Sequence, residues 1–213
     1  MLRIPEFRRR GESPLSGMWT KPEDMYHGKL VRLRALEKSD LDEIMRFYND
    51  YELRRLLGPP IVRSREFTAE WVDRVSLWTP WKDGHLVMAI VQKENDEFLG
   101  IARIEDVMFP HGRAEIGISI YDPKQRGKGY GTDATLVTLW IGFNVLGLHS
   151  IYLDTMEDNE RSIHVYEKIG FKRVGVLRET EFIDGSHKGL LIMDILRDEF
   201  QKKYPPGSIL NSH

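Results

Sequence analysis

Asp122-Pro-Lys-Gln-Arg-Gly-Lys-Gly-Tyr-Gly-Thr132 is the stretch on which the reading of this chain turns. Its glycines alternate at positions 127, 129 and 131, so the backbone can turn sharply and bring its N–H groups close to a ligand. An apolar run from Thr132 to about Phe143 predicts a helix that begins here, and the free N–H groups and dipole of a helix start favour an anion. Arg126 and Lys128 add positive charge. The pattern points to a phosphate or pyrophosphate. Two common nucleotide motifs fail on spacing. A P-loop would end in Gly-Lys-Ser/Thr, which is missing. The Gly-x-Gly-x-x-Gly fingerprint would need glycine at 132 or 134, where threonine and alanine stand.

On the N-terminal side, three strand-like runs precede the loop. His85–Val91 is short and apolar, Phe98–Ile104 follows an Asn95-Asp96 turn, and Ala114–Tyr121 alternates around Gly117. Short links between them predict an antiparallel meander. Further back, Leu30–Leu36 alternates as a half-buried strand. Ser39 with Asp42 approximates a capping box for a helix carrying Leu41, Ile44, Met45 and Tyr48 on one face. Phe67, Trp71, Val75 and Trp78 predict a second helix. On the C-terminal side, Ile151–Met156 reads as a strand, Ser162–Lys168 as a short helix, and Val174–Ile183 with Leu190–Ile195 as a hairpin about Asp184-Gly185. The expected fold is α/β (α+β), a mixed, mostly antiparallel central sheet flanked by helices. Residues 28–196 are expected to form it, with an N-terminal arm at 1–27 holding Arg8, Arg9 and Arg10, and a C-terminal tail at 197–213 after the helix-breaking Tyr204-Pro-Pro-Gly.

Composition narrows the function classes. Over 213 residues, 31 Lys and Arg against 33 Asp and Glu leave a net charge of −2, without the basic excess of a dedicated nucleic-acid binder. No apolar run approaches the roughly 20 residues that cross a bilayer, and no apolar stretch follows the basic N-terminus as in a signal peptide. The chain has no cysteine, which excludes disulfides, thiolate metal sites and a cysteine nucleophile, and suits a reducing cytoplasmic setting. The seven histidines show no metal-ligand spacing, so no metal is expected.

Arg126-x-x-Gly129-x-Gly131 resembles the Arg/Gln-x-x-Gly-x-Gly/Ala signature of the GCN5-related N-acetyltransferases (GNAT). About 28 residues beyond Gly131, Asn159-Glu-Arg-Ser162-Ile-His-Val-Tyr166-Glu-Lys-Ile-Gly170-Phe171 resembles the family's second motif. Within the family the chain is most similar to the branch of ribosomal-protein alanine and spermidine acetyltransferases. The resemblance implies the acyl-CoA N-acyltransferase fold and acetyl-CoA as co-substrate. It places the coenzyme against Arg126, Gly127, Lys128, Gly129, Tyr130, Gly131 and Thr132, with Asn159, Ser162 and Lys168 from the second motif. It further implies that backbone N–H groups near Ser119, Ile120 and Tyr121 hold the thioester and pantetheine, Gly117 marking a bulge that frees them. Tyr166 is then the general acid toward the departing sulfur.

A base for the attacking amine is sought among carboxylates. Glu115 is favoured, with Asp154, Glu105 and Asp106 as alternatives. A carboxylate of ordinary pKa, about 4, is a weak direct base for an ammonium near 10, so a water-mediated transfer is expected. Without a cysteine, direct attack of the amine in a ternary complex is the simplest route. The acceptor is a small-molecule amine, such as a polyamine or an antibiotic, or a peptide or protein N-terminus such as that of a ribosomal protein. Glu105, Asp106, Glu179, Glu181 and Asp184 could attract a polycation, whereas Trp71, Trp78 and Trp81 could wall a peptide. An acyl-CoA-binding module without transfer activity is the rival from another class, and a homodimer is possible.

Overall fold

A computed structural model describes residues 26–205 and 207–210. One sheet runs through it in the order β1 (Val31–Ala35), β2 (Leu86–Gln92), β3 (Phe98–Met108), β4 (Arg113–Ile120), β5 (Ser150–Met156), β7 (Ser186–Leu196) and β6 (Lys172–Ile183). All neighbours are antiparallel except β4 and β5. This is the mixed, mostly antiparallel sheet that the sequence pattern predicts. Local chemistry makes its tight turns. Asp96 sits at φ 58° while Asn95 Oδ1 accepts the Glu97 N–H at 3.0 Å. Asp184 and Gly185, at φ 54° and 75°, link Ile183 to its partner Ser186 in a two-residue hairpin.

Among the described residues, seven α-helices accompany the sheet: α1 (Leu41–Phe47), α2 (Tyr51–Arg54), α3 (Arg65–Val75), α4 (Pro80–Asp83), α5 (Tyr130–Trp140), α6 (Glu160–Ile169) and α7 (Arg197–Lys203). They cover the two faces of the sheet unequally. Met88, Ile90, Ala102 and Ile104 pack with Ala134 and Val137 of α5 and Ile163 of α6. Val87, Ala89 and Ile101 point the other way, to Ile44, Leu53, Val72 and Val75 of α1, α2 and α3. Strand β2 is buried on both faces, which is why its sequence is an unbroken apolar run instead of an alternation. Among the described residues no helix is long and apolar enough to cross a membrane.

Two local expectations change. Helix α1 is not capped by Ser39, which is exposed. Asp40 takes the cap region instead, accepting the Glu37 N–H at 2.9 Å while Arg34 grips its carboxylate at 2.6 and 2.8 Å. The segment from 197 onward is not a tail throughout. Its first residues form α7, and Phe200, only 1% exposed, stacks between Phe143 and Tyr204 at 5.2 and 5.3 Å. A single aromatic in a charged stretch was too weak a periodic signal to show this. Of the arm at 1–27, only Tyr26 and His27 are among the described residues, so Arg8, Arg9 and Arg10 lie outside them.

Candidate active site

Strands β4 and β5 pair only from Arg113–Ser150 to Glu115–Tyr152, although both continue further. Where their pairing ends, a cleft of about 690 Å³ opens through the sheet.

The glycine loop closes one end of it. Asp122 accepts the Lys124 N–H at 2.8 Å and starts the turn. Gly127 and Gly129 then stand at φ 83° and 93°, a left-handed conformation that side-chain-bearing residues adopt only with strain. Gly129 is the residue before α5, so the helix's unpaired N–H groups face the cleft beside Gly127, Gly131 and Thr132. Arg126 does not simply lend its charge. Its Nε donates to the Ile120 carbonyl at 3.0 Å and its Nη2 to the Tyr121 carbonyl at 3.2 Å, stapling the loop to the end of β4. Burial, and then the charge of Arg161, lower its pKa. Lys128 donates to Gln125 Oε1 at 2.8 Å and stays outside the cleft. Tyr130 packs on the core. A cation not singled out above, Arg161 in the first turn of α6, also reaches the loop: its Nη2 comes within 3.3 Å of where a Gly127 Cβ would sit, and it lines the cleft. Only its place beside Asn159 at a helix start hinted at this position.

The backbone edge of β4 forms one wall. The Tyr121 N–H donates to the Leu99 carbonyl at 2.9 Å, and its buried ring packs against Tyr48 and Phe98 at 6.3 and 5.8 Å. Tyr121 therefore belongs to the core, against expectation. Alternation of the ladder turns the Ser119 N–H toward β3 as well, leaving those of Ile118 and Ile120 facing β5. Nor does Gly117 make a bulge, because it stays in register with Arg103. The irregularity falls between Glu105 and Met108, where Asp106 has φ 50°. Gly117 instead makes room: a Cβ there would lie 2.7 Å from Arg103 Nη2.

At the other end carboxylates gather. Glu105 stands opposite Glu115, Glu115 opposite Tyr152, and Asp154 lies two residues further along β5, so all share one face with Arg103. Arg103 Nη1 lies 3.4 Å from Glu105 Oε2. Glu181 of β6 borders the same space. Burial, reinforced by the charges of Asp154 and Glu105, raises the Glu115 pKa against a hydrogen bond with Tyr152. Asp154 is open to the cleft yet ringed by protein, and this desolvation raises its pKa while Arg103 opposes the rise.

Tyr166 enters from the opposite face, on α6, with its ring edge-on to Phe171 at 5.6 Å. Burial first, then the charge of Asp154, push its pKa up to about 12, and Arg103 counteracts them. At the start of α6, Asn159 Oδ1 accepts the Ser162 N–H at 3.2 Å, capping the helix, and both residues border the cleft together with Lys168. Leu53, Leu56 and Leu57 close it from the α2 side. The three tryptophans do not take part. Trp71 stacks on Tyr48 at 6.4 Å, Trp78 on His85 at 4.8 Å, and Trp81 is 69% exposed.

A helix start with unpaired N–H groups, a splayed pair of parallel strands and a half-buried tyrosine facing carboxylates thus share one cleft. The acetyltransferase (GNAT) domain family matches residues 31–172. The chain belongs to this GNAT family. Spermidine N(1)-acetyltransferase of Escherichia coli K12 is 29% identical over 181 residues, 84% of this chain and 94% of the relative. The spermidine N(1)-acetyltransferase of Vibrio cholerae is 31% identical over 170 residues, 80% of this chain and 95% of the relative. Among solved structures, spermidine N-acetyltransferase from Vibrio cholerae in complex with CoA and spermine superposes with a TM-score of 0.71 at 27% identity, over 80% of this chain and 97% of that one. A GNAT-family acetyltransferase from Bacillus anthracis, 22% identical with a TM-score of 0.69 over 81% and 98% of the two chains, shares the fold.

Proposed function

We propose that this GNAT chain moves the acetyl group of acetyl-CoA to a primary amine of a polyamine such as spermidine, by direct attack in a ternary complex. The observation that carries the reading is the convergence of Glu105, Glu115, Asp154 and Glu181 on the cleft that Tyr166 enters. Four carboxylates suit an acceptor with several positive charges, and the similarity to spermidine acetyltransferases supports the same class. A peptide N-terminus is less well served, since Trp71, Trp78 and Trp81 lie away from the cleft.

In this reading the pyrophosphate rests on the start of α5 near Arg161, and the pantetheine follows the Ile118 and Ile120 edge as an added strand would. Glu115 and Ile120 are five residues apart, about 17 Å of strand, so the loop and the carboxylates sit at opposite ends of an extended arm. The acceptor nitrogen attacks the thioester carbon, and the carbon–sulfur bond breaks. The ammonium gives up two protons in all: one reaches the sulfur through Tyr166, and one leaves to solvent through a carboxylate. Asp154 is assigned that second role in preference to Glu115. It lies past the last β4–β5 pair and couples to Tyr166, whereas Glu115 sits within that pair and is bonded to Tyr152.

The test is thiol release from acetyl-CoA with spermidine, an alanine-started peptide or an aminoglycoside as acceptor. Spermidine turnover is expected. Turnover with the peptide alone would overturn the acceptor, and tight acetyl-CoA binding with no thiol release would overturn transfer itself.

A further inference from the structure

Two successive levels of side chains flank the point where β4 and β5 part. Glu105, Glu115 and Tyr152 form the first, on β3, β4 and β5. Arg103, Gly117 and Asp154 occupy the next, since each lies two residues from a member of the first on the same face. The middle position of this second level is a glycine, and the Arg103 guanidinium lies across it, with Nη2, Nε and Cζ at 2.7, 3.1 and 3.2 Å from where a Cβ would be. The side chain is thereby laid from β3 over β4, toward the gap beyond which Asp154 stands.

From this arrangement we propose that Arg103 is a positioning residue for acetyl transfer: seated on Gly117, it is the counter-charge that keeps Asp154 an ionised proton acceptor beside Tyr166. This rests on the reading of the cleft given above. A role in stability alone accounts poorly for the placement. The ion pair of Arg103 with Glu105 is long, at 3.4 Å, and both side chains are partly exposed, a combination that contributes little to folding. A guanidinium stays charged at every pH at which the enzyme works, so its field on the cleft is constant. Its field reaches Asp154 on β5, Tyr166 on α6 and Tyr121 toward the α1 side, while Glu105 on its own strand, Glu115 on β4, Glu181 on β6 and the cations Arg161 and Lys168 of α6 border the same cleft. Removing a cation from among so many acids makes the last of them harder to ionise.

The experiment compares kcat/KM against pH for the wild type, Arg103→Gln, Arg103→Lys and Gly117→Ala, with thermal melts as a control on folding. In Arg103→Gln the acid limb is expected to move up by about one pH unit, giving roughly a tenfold loss below the limb that closes again at high pH. Arg103→Lys keeps most of the wild-type profile. Gly117→Ala, at a position without a left-handed backbone, retains the arginine but displaces it, and moves the limb in the same direction as Arg103→Gln. A second readout needs no substrate: the Asp154 carboxyl, assigned through Asp154→Asn, is titrated by NMR in protein labelled with carbon-13 aspartate, and its midpoint should rise in Arg103→Gln. An equal loss at every pH, or an unmoved Asp154 midpoint, would overturn the proposal. Failure of spermidine turnover in the wild type would instead strike the acceptor reading, and the titration would still decide the role of Arg103.

Discussion

The carboxylate of Asp133, in the first turn of α5, accepts the N–H of Leu30 at 2.7 Å. It also accepts those of Val31 at 2.9 Å and Lys29 at 3.1 Å. One buried side chain thus ties the start of β1 to the helix that carries the glycine loop, across about a hundred residues of sequence. Gly28 is part of the same clamp, because a Cβ there would come within 2.3 Å of Asp133 Oδ2. Asp133→Ala leaves three backbone donors without this acceptor and should lower stability by about 3 kcal/mol. Asp133→Asn, which keeps one acceptor oxygen, should fall between. Urea unfolding measures both.

The loop glycines are not equivalent. Gly127→Ala and Gly129→Ala force a side chain into a left-handed backbone, at a cost of about 1–2 kcal/mol each. At Gly129 the new methyl would also stand 3.1 Å from Leu30 Cδ1. Both changes should raise the KM for acetyl-CoA severalfold or more. Gly131→Ala meets only Ile120, at 3.8 Å, within a helix, and should leave KM near wild type. Acetyl-CoA titration of the three variants gives the ordering.

Tyr166→Phe keeps the ring against Phe171 and removes the hydroxyl alone. The melting temperature should hold while kcat falls by about 10²-fold or more. With its pKa pushed up to about 12, the phenol stays protonated through any practical assay range. The rate should therefore show no fall from tyrosine ionisation below pH 10, and a pH–rate profile of the wild type checks it.

A carboxylate base works only when ionised, and the pKa values of Asp154 and Glu115 are both raised. Activity should thus begin to fall at a higher pH, on acidification, than for an ordinary exposed carboxylate. Asp154→Asn should remove that limb along with most of the rate. Glu115→Gln should keep the limb and move it slightly lower, since one negative neighbour is gone. If Glu115→Gln abolishes the limb and Asp154→Asn does not, the two roles are exchanged.

The elements that were legible are those whose causes are local. The turns at Asn95-Asp96 and Asp184-Gly185 follow from residues that tolerate left-handed backbone, and both are found where the pattern set them. Strand β2 and helix α5 announce themselves as apolar runs. Helix α7 did not, because what holds it comes from distant stretches: Phe200 packs on Phe143, Arg197 donates to the Leu148 carbonyl and Lys203 to that of Lys168. Asp40 stands at the start of α1 for the same reason: Arg34, on the preceding strand, holds its carboxylate.

For the cleft, the amino-acid order alone determined that a sharp glycine turn would run from a strand into a helix start at Gly127–Thr132, since glycine conformation and helix initiation belong to a few adjacent residues. Tyr166 and Asn159 came forward through the resemblance of 159–171 to the second motif of the acetyltransferase family. What only the tertiary structure decided is which groups of neighbouring strands meet. The register of β3 on β4 sends Tyr121 into the core, exposes the edge of Ile118 and Ile120 and lays Arg103 over Gly117, and the register of β4 on β5 sets Asp154 past their last pair. Register is a property of two strands at once, fixed by how both bury their apolar faces, so no single stretch of sequence contains it.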